Sequence, residues 1–472
     1  MFANNEETTV ITKRTLLACL LSLTLYVPQL QAQDDAPKAS YTLIQNVKIF
    51  DGVNNKLTPG HVLIENNLIK SVGDIKSVPE GTKVIDGGGR TLMPGMIDSH
   101  SHFNLAIPGG LTAIEAARWD QIASAAAAAA NEWFMDGFTT VRDMGGMGDG
   151  LKKTIDAGYL VGPRIYPSGG YISQTSGHGD LLLGSQRDPK SSNLVRLGVT
   201  VLADGPDAVR AAARKNIAEG ATQLKVMVGG GISSEKGPLF APQYSDREIS
   251  AAVEEAATRE TYVAVHVYHS AHIKRALMLG VRSIEHGQFI DEPTARLLKE
   301  EGAFISPYIA AMSDVVFQHP VYGKVGSPQR KKMEEFIELS KDFVSIMKKV
   351  KPKMVFAIDI VNLAGVDARR QRDFEKWMFA ENFGNFEALK AMTSTAGQLA
   401  QLTGRTNPYP HQLGVIEVGA YADIVLVDGN PLEDITVIGA NPKYFDAPAR
   451  EKGLKTIRLI MKDGKIYKNT LK

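Results

Sequence analysis

Two histidines separated by one residue, His100 and His102, end an apolar run that begins at Gly95. Residues two apart on a strand point to the same face, so both imidazoles can reach one metal ion. A His-x-His pair is also compatible with a surface position, where it binds nothing. The position of this pair at the end of a predicted buried strand favours the metal interpretation.

A lysine, Lys225, stands inside another apolar run, residues 224–228, which three glycines follow. An unpaired ammonium is costly to bury. One interpretation is that Lys225 reaches the rim of the fold or pairs with a carboxylate. The other is that its neutral amine adds carbon dioxide and becomes a carbamate, an anionic ligand that can bridge two metal ions. The run by itself leaves both interpretations open.

Three further polar residues end apolar runs in the same way: His266, His286 and Asp359. Each histidine alone is equally compatible with a hydrogen-bonded core residue. The two histidines, however, occupy equivalent places in consecutive strand-helix units. A carboxylate inside an apolar run requires a cation or several hydrogen-bond donors, and a metal ion would supply the cation.

Eight strand-like runs alternate with helical patterns in the middle of the chain: 95–100, 139–143, 164–169, 223–228, 262–267, 282–286, 303–307 and 354–359. This alternation is typical of βα units around a parallel sheet. Eight units in about 310 residues predict an α/β fold, a TIM (β/α)8 barrel, with the active site at the carboxyl ends of its strands. Short strands with turns flank this part: 42–49, 61–65, 68–73, 422–428, 456–462 and 465–468.

This set of residues resembles the amidohydrolase superfamily, specifically its imidazolonepropionase-like and Xaa-Pro dipeptidase branch with a binuclear metal centre. Residues 177–180, 283–287 and 413–428 also carry the resemblance. It extends over nearly the whole chain that follows residues 1–32. It implies a metal-dependent barrel at 94–411 and a small composite β-sandwich domain built from 41–93 and 412–470. It further implies a homo-oligomer.

The resemblance implies a ligand set for two divalent metal ions: His100, His102 and Asp359 for one, His266 and His286 for the other, and carboxylated Lys225 as the bridge. In one departure, Ala357 and Ile358 precede Asp359 where this family usually has Gly-Thr or Gly-Ser. In amide hydrolysis, two such ions would stabilise the negative oxygen that develops when hydroxide attacks the carbonyl. Asp359 would accept the proton of the hydroxide and return it to the leaving nitrogen. Zinc is the first expectation, although manganese or cobalt fits the same ligands.

Substrate-contacting residues are expected in the loops after the strands. His178, in a glycine-rich loop, and Tyr244 are candidates to bind a substrate carboxylate or the oxyanion, as catalytic and substrate-binding residues. Arg142 could line the floor of the site together with Asp143. These four could also serve the structure alone. His269 and His272 are expected on the following helix and outside the ligand set.

Three functions compete. The first is hydrolysis of an amide bond in a dipeptide or N-acyl amino acid, and the second is hydrolysis of a cyclic amide, as in imidazolonepropionase. The third is a non-catalytic binding protein on a decayed barrel. All six ligand positions hold the expected residue types, which disfavours decay. The sequence lacks the motif His-Glu-x-x-His, which binds zinc in one class of metalloproteases, so it gives no support to that class.

The composition of the 472 residues excludes several partners. Lys and Arg number 53 against 52 Asp and Glu, so no sustained field attracts nucleic acid or an acidic membrane. Residues 1–32 predict a cleaved signal peptide, with Lys13 and Arg14 before an apolar run and Ala32 at the cleavage site. The run is shorter than a membrane span, which needs about 20 residues. Cleavage would remove the single cysteine, Cys19, and export the protein to the periplasm or outside the cell.

Overall fold

Strands and helices alternate through the middle of the chain, as the sequence pattern predicts. The computed structural model describes residues 39–146, 148–186, 188–234 and 236–471, so the predicted signal peptide, with Cys19, lies outside the described residues. In these ranges the strands are, in chain order, β1 (Tyr41–Ile49), β2 (Thr58–Glu65), β3 (Leu68–Gly73), β4 (Lys83–Asp86), β5 (Thr91–Pro94), β6 (Met96–Ser101), β7 (Phe138–Asp143), β8 (Arg164–Pro167), β9 (Tyr171–Ser173), β10 (Thr200–Leu202), β11 (Leu224–Met227), β12 (Val263–His269), β13 (Ser283–Phe289), β14 (Phe304–Ser306), β15 (Lys353–Met354), β16 (Ile424–Val427), β17 (Ile457–Lys462) and β18 (Lys465–Asn469).

The α-helices occupy most of the connections between the central strands. They are α1 (Gly110–Ala116), α2 (Trp119–Met135), α3 (Gly148–Asp156), α4 (Asn193–Arg196), α5 (Pro206–Ala218), α6 (Asp246–Thr258), α7 (Ser270–Met278), α8 (Glu292–Glu300), α9 (Pro328–Leu339), α10 (Phe343–Val350), α11 (Gly365–Phe383), α12 (Asn385–Ala391) and α13 (Ser394–Ala400). A capping box explains where α6 begins, because Glu248 accepts the backbone N–H of Ser245 at 2.7 Å. Among the described helices, none is long and apolar enough to cross a bilayer.

Strands from both ends of the chain share one sheet. Its order is β18-β17-β16-β5-β1-β2-β3, and β4 pairs with β1. The antiparallel pair β5 and β16 joins the two ends, with Leu92 opposite Leu426. Apolar side chains of both segments form a single buried cluster, which includes Ile44, Val62 and Leu459. Strands from both ends of the chain therefore belong to one hydrogen-bonded sheet with a shared apolar cluster.

The central strands form two parallel sheets. One has the order β10-β9-β11-β12-β13-β14-β15, and the other consists of β6, β7 and β8. The mixed α/β fold with parallel sheets is confirmed, whereas strand pairing alone does not close a barrel of eight strands. The predicted strand at 354–359 was wrong beyond Met354, the last residue of β15, because Phe356 donates its backbone N–H to Ala391 O of α12 at 3.2 Å rather than to a strand. Asp359, at the end of the predicted range, is left-handed with φ 50°.

Individual backbone hydrogen bonds cross the gaps between the two sheets. On one side Ser99 N donates to Phe356 O and Asp359 N donates to His100 O, both at 2.9 Å. On the other side Thr222 N donates to Pro167 O at 2.7 Å. These hydrogen bonds hold the segment that carries Asp359 next to β6. The polar ends of β6, β11, β12 and β13 face one common region.

A buried ionic network connects α2, α11 and the segment near residue 450. Asp136 accepts hydrogen bonds from Arg372, whose side chain has no exposed surface, and from Arg450 at 2.7 and 3.0 Å. The guanidinium of Arg372 lies 4.3 Å from the ring centroid of Trp133, and the indole N–H of Trp133 donates to Asp98 at 2.9 Å. Through Asp98, this network contacts β6 two residues before His100.

Candidate metal centre and active site

All six predicted metal ligands line one cavity at the carboxyl ends of the central strands. The histidines and the lysine come from or directly follow strands, and Asp359 comes from the irregular segment after β15. The structure therefore brings together residues that are up to 259 positions apart: His100, His102, Lys225, His266, His286 and Asp359.

The hydrogen bonds of His100 define its tautomer. Its Nδ1 lies 2.8 Å from Oε2 of Glu285, and an ionised carboxylate only accepts, so Nδ1 carries the proton. Burial holds the pKa of His100 well below its usual range, so the ring is neutral. The lone pair of Nε2 then faces His102 Nε2 at 3.1 Å and Asp359 Oδ1 at 3.6 Å. This orientation is typical of a histidine that binds metal.

The ligand atoms of His100, His102 and Asp359 all lie within 4.8 Å of one another. His102 Nε2 is 3.2 Å from Asp359 Oδ1. Burial opposes ionisation of Asp359, but the surrounding histidines hold its pKa below the usual range, so the carboxylate is charged. Lone pairs and a negative charge that converge in a buried site fit a divalent cation.

The other predicted ligands lie on the adjacent wall. His266 donates from Nε2 to Gly230 O at 3.1 Å, which leaves Nδ1 as its free lone pair, and its ring centroid is 4.4 Å from that of His286. His286 Nδ1 is 4.0 Å from Asp359 Oδ2. Lys225 Nζ is 3.4 Å from His100 Nε2, and burial lowers the pKa of Lys225 to about 8. The amine of Lys225 thus lies beside His100, and its charge also acts on His266 and His286.

Two of these residues have left-handed backbone conformations. His286 has φ 72° and Asp359 has φ 50°, a region that side chains other than glycine rarely adopt. Each such residue costs about 1–3 kcal/mol and persists where the surrounding structure enforces it. Local strain at two candidate ligands is consistent with a site that function maintains.

Arg142 does not line the cavity. Its guanidinium is buried beneath the site and contacts Glu285 at 2.7 and 2.8 Å, Ser283 Oγ at 3.0 Å and Ser99 O at 2.6 Å. The positive charge of Arg142 keeps the pKa of Glu285 well below its usual range despite burial. Arg142 therefore supports the carboxylate that orients His100. The sequence prediction did not include Glu285, although this residue directly precedes His286.

The two predicted substrate-contacting residues have different surroundings. His178 lines the cavity, stacks on His266 at 4.1 Å between ring centroids, and forms a 2.9 Å hydrogen bond with Ser234 Oγ. Tyr244 does not line it, and its hydroxyl donates to Ala203 O at 2.9 Å within the apolar core. The catalytic and substrate-binding roles of Tyr244 stay predictions.

Two other predictions concern residues near these strands. The predicted helical position was wrong for His269, which is the last residue of β12, because the strand continues three residues beyond His266; His272 lies on α7 as predicted. Neither lines the cavity. Asp143 lies outside the cavity as well, and burial raises its pKa to about 7. It accepts the backbone N–H of Gly145 at 3.3 Å.

Tyr268 is a cavity residue that the sequence prediction missed. It is two residues after His266 on β12, so strand alternation directs both side chains to the same face. This spacing is the signal that could have identified it. The remaining wall is mostly apolar or aromatic: Leu105, Tyr171, Leu181, Met227, Ile232, Tyr308, Ala311, His319, Tyr322, Met333, Phe336 and Val361. Gly179 and the polar residues Ser233, Gln288 and Gln371 complete it.

Residues 91–467 match the profile described as the Amidohydrolase family. The chain belongs to this family. Among curated relatives, ochratoxinase from Aspergillus niger is 30% identical over 91% of this chain and 87% of its own length. A solved prolidase complexed with N-methylphosphonate-L-proline has a TM-score of 0.80 and 33% identity, over 91% of this chain and 100% of its own. A Xaa-Pro dipeptidase with bound methionine in its active site has a TM-score of 0.75 and 28% identity, over the same shares.

Membership of the amidohydrolase family confirms the predicted class of activity. The chain is a hydrolase of amide carbon-nitrogen bonds in the Xaa-Pro dipeptidase-like branch of the superfamily. A decayed, non-catalytic barrel is not supported, because the described cavity keeps every predicted ligand residue.

Proposed function

We propose that this amidohydrolase cleaves the amide bond of dipeptides or N-acyl amino acids, with the amino acid as the leaving group. The observation that carries the proposal is the convergence of three ligand atoms, from His100, His102 and Asp359, on one wall of a largely apolar cavity. The relatives named above add support, because one is called an ochratoxinase and two are a prolidase and a Xaa-Pro dipeptidase.

The donor set supports a centre of two divalent ions, with zinc as the first choice. His100, His102 and Asp359 would hold one ion, and His266 and His286 the other. When bound, such ions make hydroxide available near neutral pH and polarise the scissile carbonyl. Glu285 would keep the Nε2 lone pair of His100 directed at the first ion, since it fixes the proton on Nδ1.

Carboxylated Lys225 would bridge the two ions. Burial lowers the pKa of Lys225 to about 8, which raises the fraction of neutral amine able to attack carbon dioxide. The N–C bond forms as the amine loses a proton, and the product is an anionic carbamate. An ammonium beside two divalent cations would be repelled by several kcal/mol even at an effective dielectric of about 20, whereas a carbamate is attracted. A neutral amine has one lone pair and reaches one ion only.

The chain's own groups account for the proton transfers. Asp359 would accept the proton of the attacking water and return it to the amide nitrogen as that bond breaks. His178 and Tyr268, both in the cavity wall, would donate hydrogen bonds to the developing oxyanion. The apolar wall would exclude bulk water and accommodate the acyl group.

We further infer that the chain is exported and loses residues 1–32 in the process. We also infer that residues 94–411 form a closed (β/α)8 barrel and that residues 41–93 and 412–470 form the second domain. The hydrogen bonds from Ser99, Asp359 and Thr222 across the sheet edges support closure. A homo-oligomer, a small-molecule substrate, and the absence of nucleic-acid and membrane partners complete the proposal.

Metal analysis and a substrate panel test the proposed function together. Mature protein reconstituted with zinc, manganese or cobalt should hold close to two equivalents by elemental analysis and lose them to a chelator, together with activity. The panel should contain dipeptides, N-acyl amino acids and cyclic amides, and turnover is expected in the first two groups. A metal-free protein after reconstitution, or turnover confined to cyclic amides, would contradict the proposal.

A further inference from the structure

One wall of the cavity comes from the loop that follows β14, and it carries a histidine that the proposed chemistry does not use. His319 is 2% exposed and lines the cavity. Its Nδ1 accepts the backbone N–H of Val321 at 3.1 Å. An amide nitrogen only donates, so Nδ1 is unprotonated and the ring proton is on Nε2. Burial lowers the pKa of His319 to about 4, so the ring is neutral.

Aromatic neighbours fix the plane of this imidazole. Its ring lies 4.5 Å from that of Tyr322, nearly parallel at 26°, and 5.6 Å from that of Phe445, nearly perpendicular at 86°. Within the described ranges no protein group accepts a hydrogen bond from Nε2. The loop therefore presents one oriented N–H donor on the cavity wall.

The charge of the cavity wall limits what can bind an anionic substrate group. Among the described lining residues the only lysine or arginine is Lys225, which faces His100. Tyr268 and Tyr322 also line the cavity, and burial together with the charge of Asp359 raises the pKa of both phenols. Both hydroxyls stay protonated and able to donate.

We propose that the Nε2–H of His319, with the hydroxyl of Tyr322 beside it, binds the free carboxylate of the amino-acid half of the substrate. This inference rests on the proposed function, because it assigns the carboxylate-binding part of that same site. A neutral donor that binds a carboxylate forms a charge-assisted hydrogen bond, which is stronger than one to a neutral carbonyl. The site would thereby distinguish amino-acid leaving groups from amines that lack a carboxylate.

Two substitutions separate binding from support of the loop. In His319→Asn the amide oxygen can still accept the N–H of Val321, but no donor reaches the position of Nε2. In His319→Gln the longer side chain carries an N–H to that position, but the acceptor at Nδ1 is lost. His272→Asn, at a half-buried histidine of α7 outside the cavity, is the matched control.

Calorimetry on the metal-loaded protein should compare L-phenylalanine with L-phenylalaninol, which lacks the carboxylate. We expect the wild type and His272→Asn to bind L-phenylalanine at least about 10-fold more tightly. His319→Asn should lose about 10- to 100-fold in affinity for L-phenylalanine with no change for the alcohol, and His319→Gln should keep most of the preference. Equal binding of the two ligands by the wild type, or an equal loss in both variants, would overturn the inference.

Turnover separates this inference from the proposed function. A preference for the carboxylate that depends on His319, in a protein that hydrolyses no member of the amide panel, would leave the binding assignment standing and refute the function. Hydrolysis of N-acyl amino acids without any preference for L-phenylalanine over the alcohol would refute the binding assignment alone.

Discussion

Glu285 Oε2 and His100 Nδ1 lie 2.8 Å apart beneath the candidate metal centre, and neither side chain is more than 1% exposed. The same carboxylate accepts two hydrogen bonds from Nη2 of Arg142 and one from Ser283 Oγ at 2.7 Å. Each buried charge therefore has a partner, and the tautomer of His100 is determined by a residue that itself contacts no substrate.

Replacing Glu285 with Gln tests this orientation. The amide can present its N–H rather than its oxygen to His100, and it no longer neutralises Arg142. We expect metal affinity to fall about 10- to 100-fold, measured by competition with a fluorescent chelator. Glu292→Gln, at a partly exposed helix start outside the cavity lining, is the control and should not change affinity. Unchanged affinity in a folded Glu285→Gln protein would contradict the orienting role.

Lys225→Ala should remove the proposed bridge. Metal occupancy should fall and kcat should decrease by roughly two orders of magnitude or more, since both the bridge and the negative charge are lost. Acetate or propionate added to this variant should restore part of the activity by replacing the carbamate. Lys225→Arg should show no restoration, because a guanidinium neither adds carbon dioxide nor accepts a metal. Electron density for a bare amine at Lys225 in an active, metal-loaded crystal would refute carboxylation.

Tyr268→Phe and Tyr244→Phe distinguish the tyrosine in the cavity from the one outside it. Loss of one oxyanion donor costs up to about 10²–10³ in kcat, so Tyr268→Phe should lower kcat more than it changes KM. Tyr244→Phe removes only the bond to Ala203 O and should leave kcat near the wild-type value, at a stability cost of about 1 kcal/mol. Steady-state kinetics that showed the reverse order would contradict the role proposed for Tyr268 and support the one predicted for Tyr244.

Asp136→Asn should destabilise the fold by about 3–5 kcal/mol at neutral pH, because it leaves the buried guanidinium of Arg372 without a counter-charge. Urea unfolding measures the loss, and Asp367→Asn, at a partly exposed pair with Arg370, should cost no more than about 1 kcal/mol.

The same pair predicts a pH dependence of stability. Burial opposes ionisation of Asp136, but Arg372 and Arg450 hold its pKa below that of an unfolded aspartate, near 3.8. The stabilisation is therefore fully present above about pH 4 and is lost as the pH falls through the lower, folded-state pKa. The difference between wild type and Asp136→Asn should stay constant from pH 5 to 8 and shrink below about pH 4. A difference that grew on acidification would contradict the assigned sign.

The sequence by itself determined the residue types of the candidate site and the elements that carry most of them. His100, Lys225, His266 and His286 end or occupy short apolar runs that became β6, β11, β12 and β13, because hydrophobic patterning and strand period are local properties. The carboxyl ends of parallel strands lie at one edge of a sheet. Predicting parallel strands therefore also predicted that these four residues lie close to one another. The start of the helix α6 is local in the same way, because its capping box lies within four residues.

Tertiary structure alone decided which polar side chains face the cavity. Arg142 and Tyr244 have the residue types of substrate-binding groups, but long-range contacts with Glu285 and Ala203 turn both away. His319 enters the wall from a loop whose path is not encoded by any periodic pattern. Asp359 lies beyond the end of β15 with a left-handed backbone, and the neighbouring β6 holds it in place. Each outcome depends on partners far away in the chain, and local sequence carries no information about them.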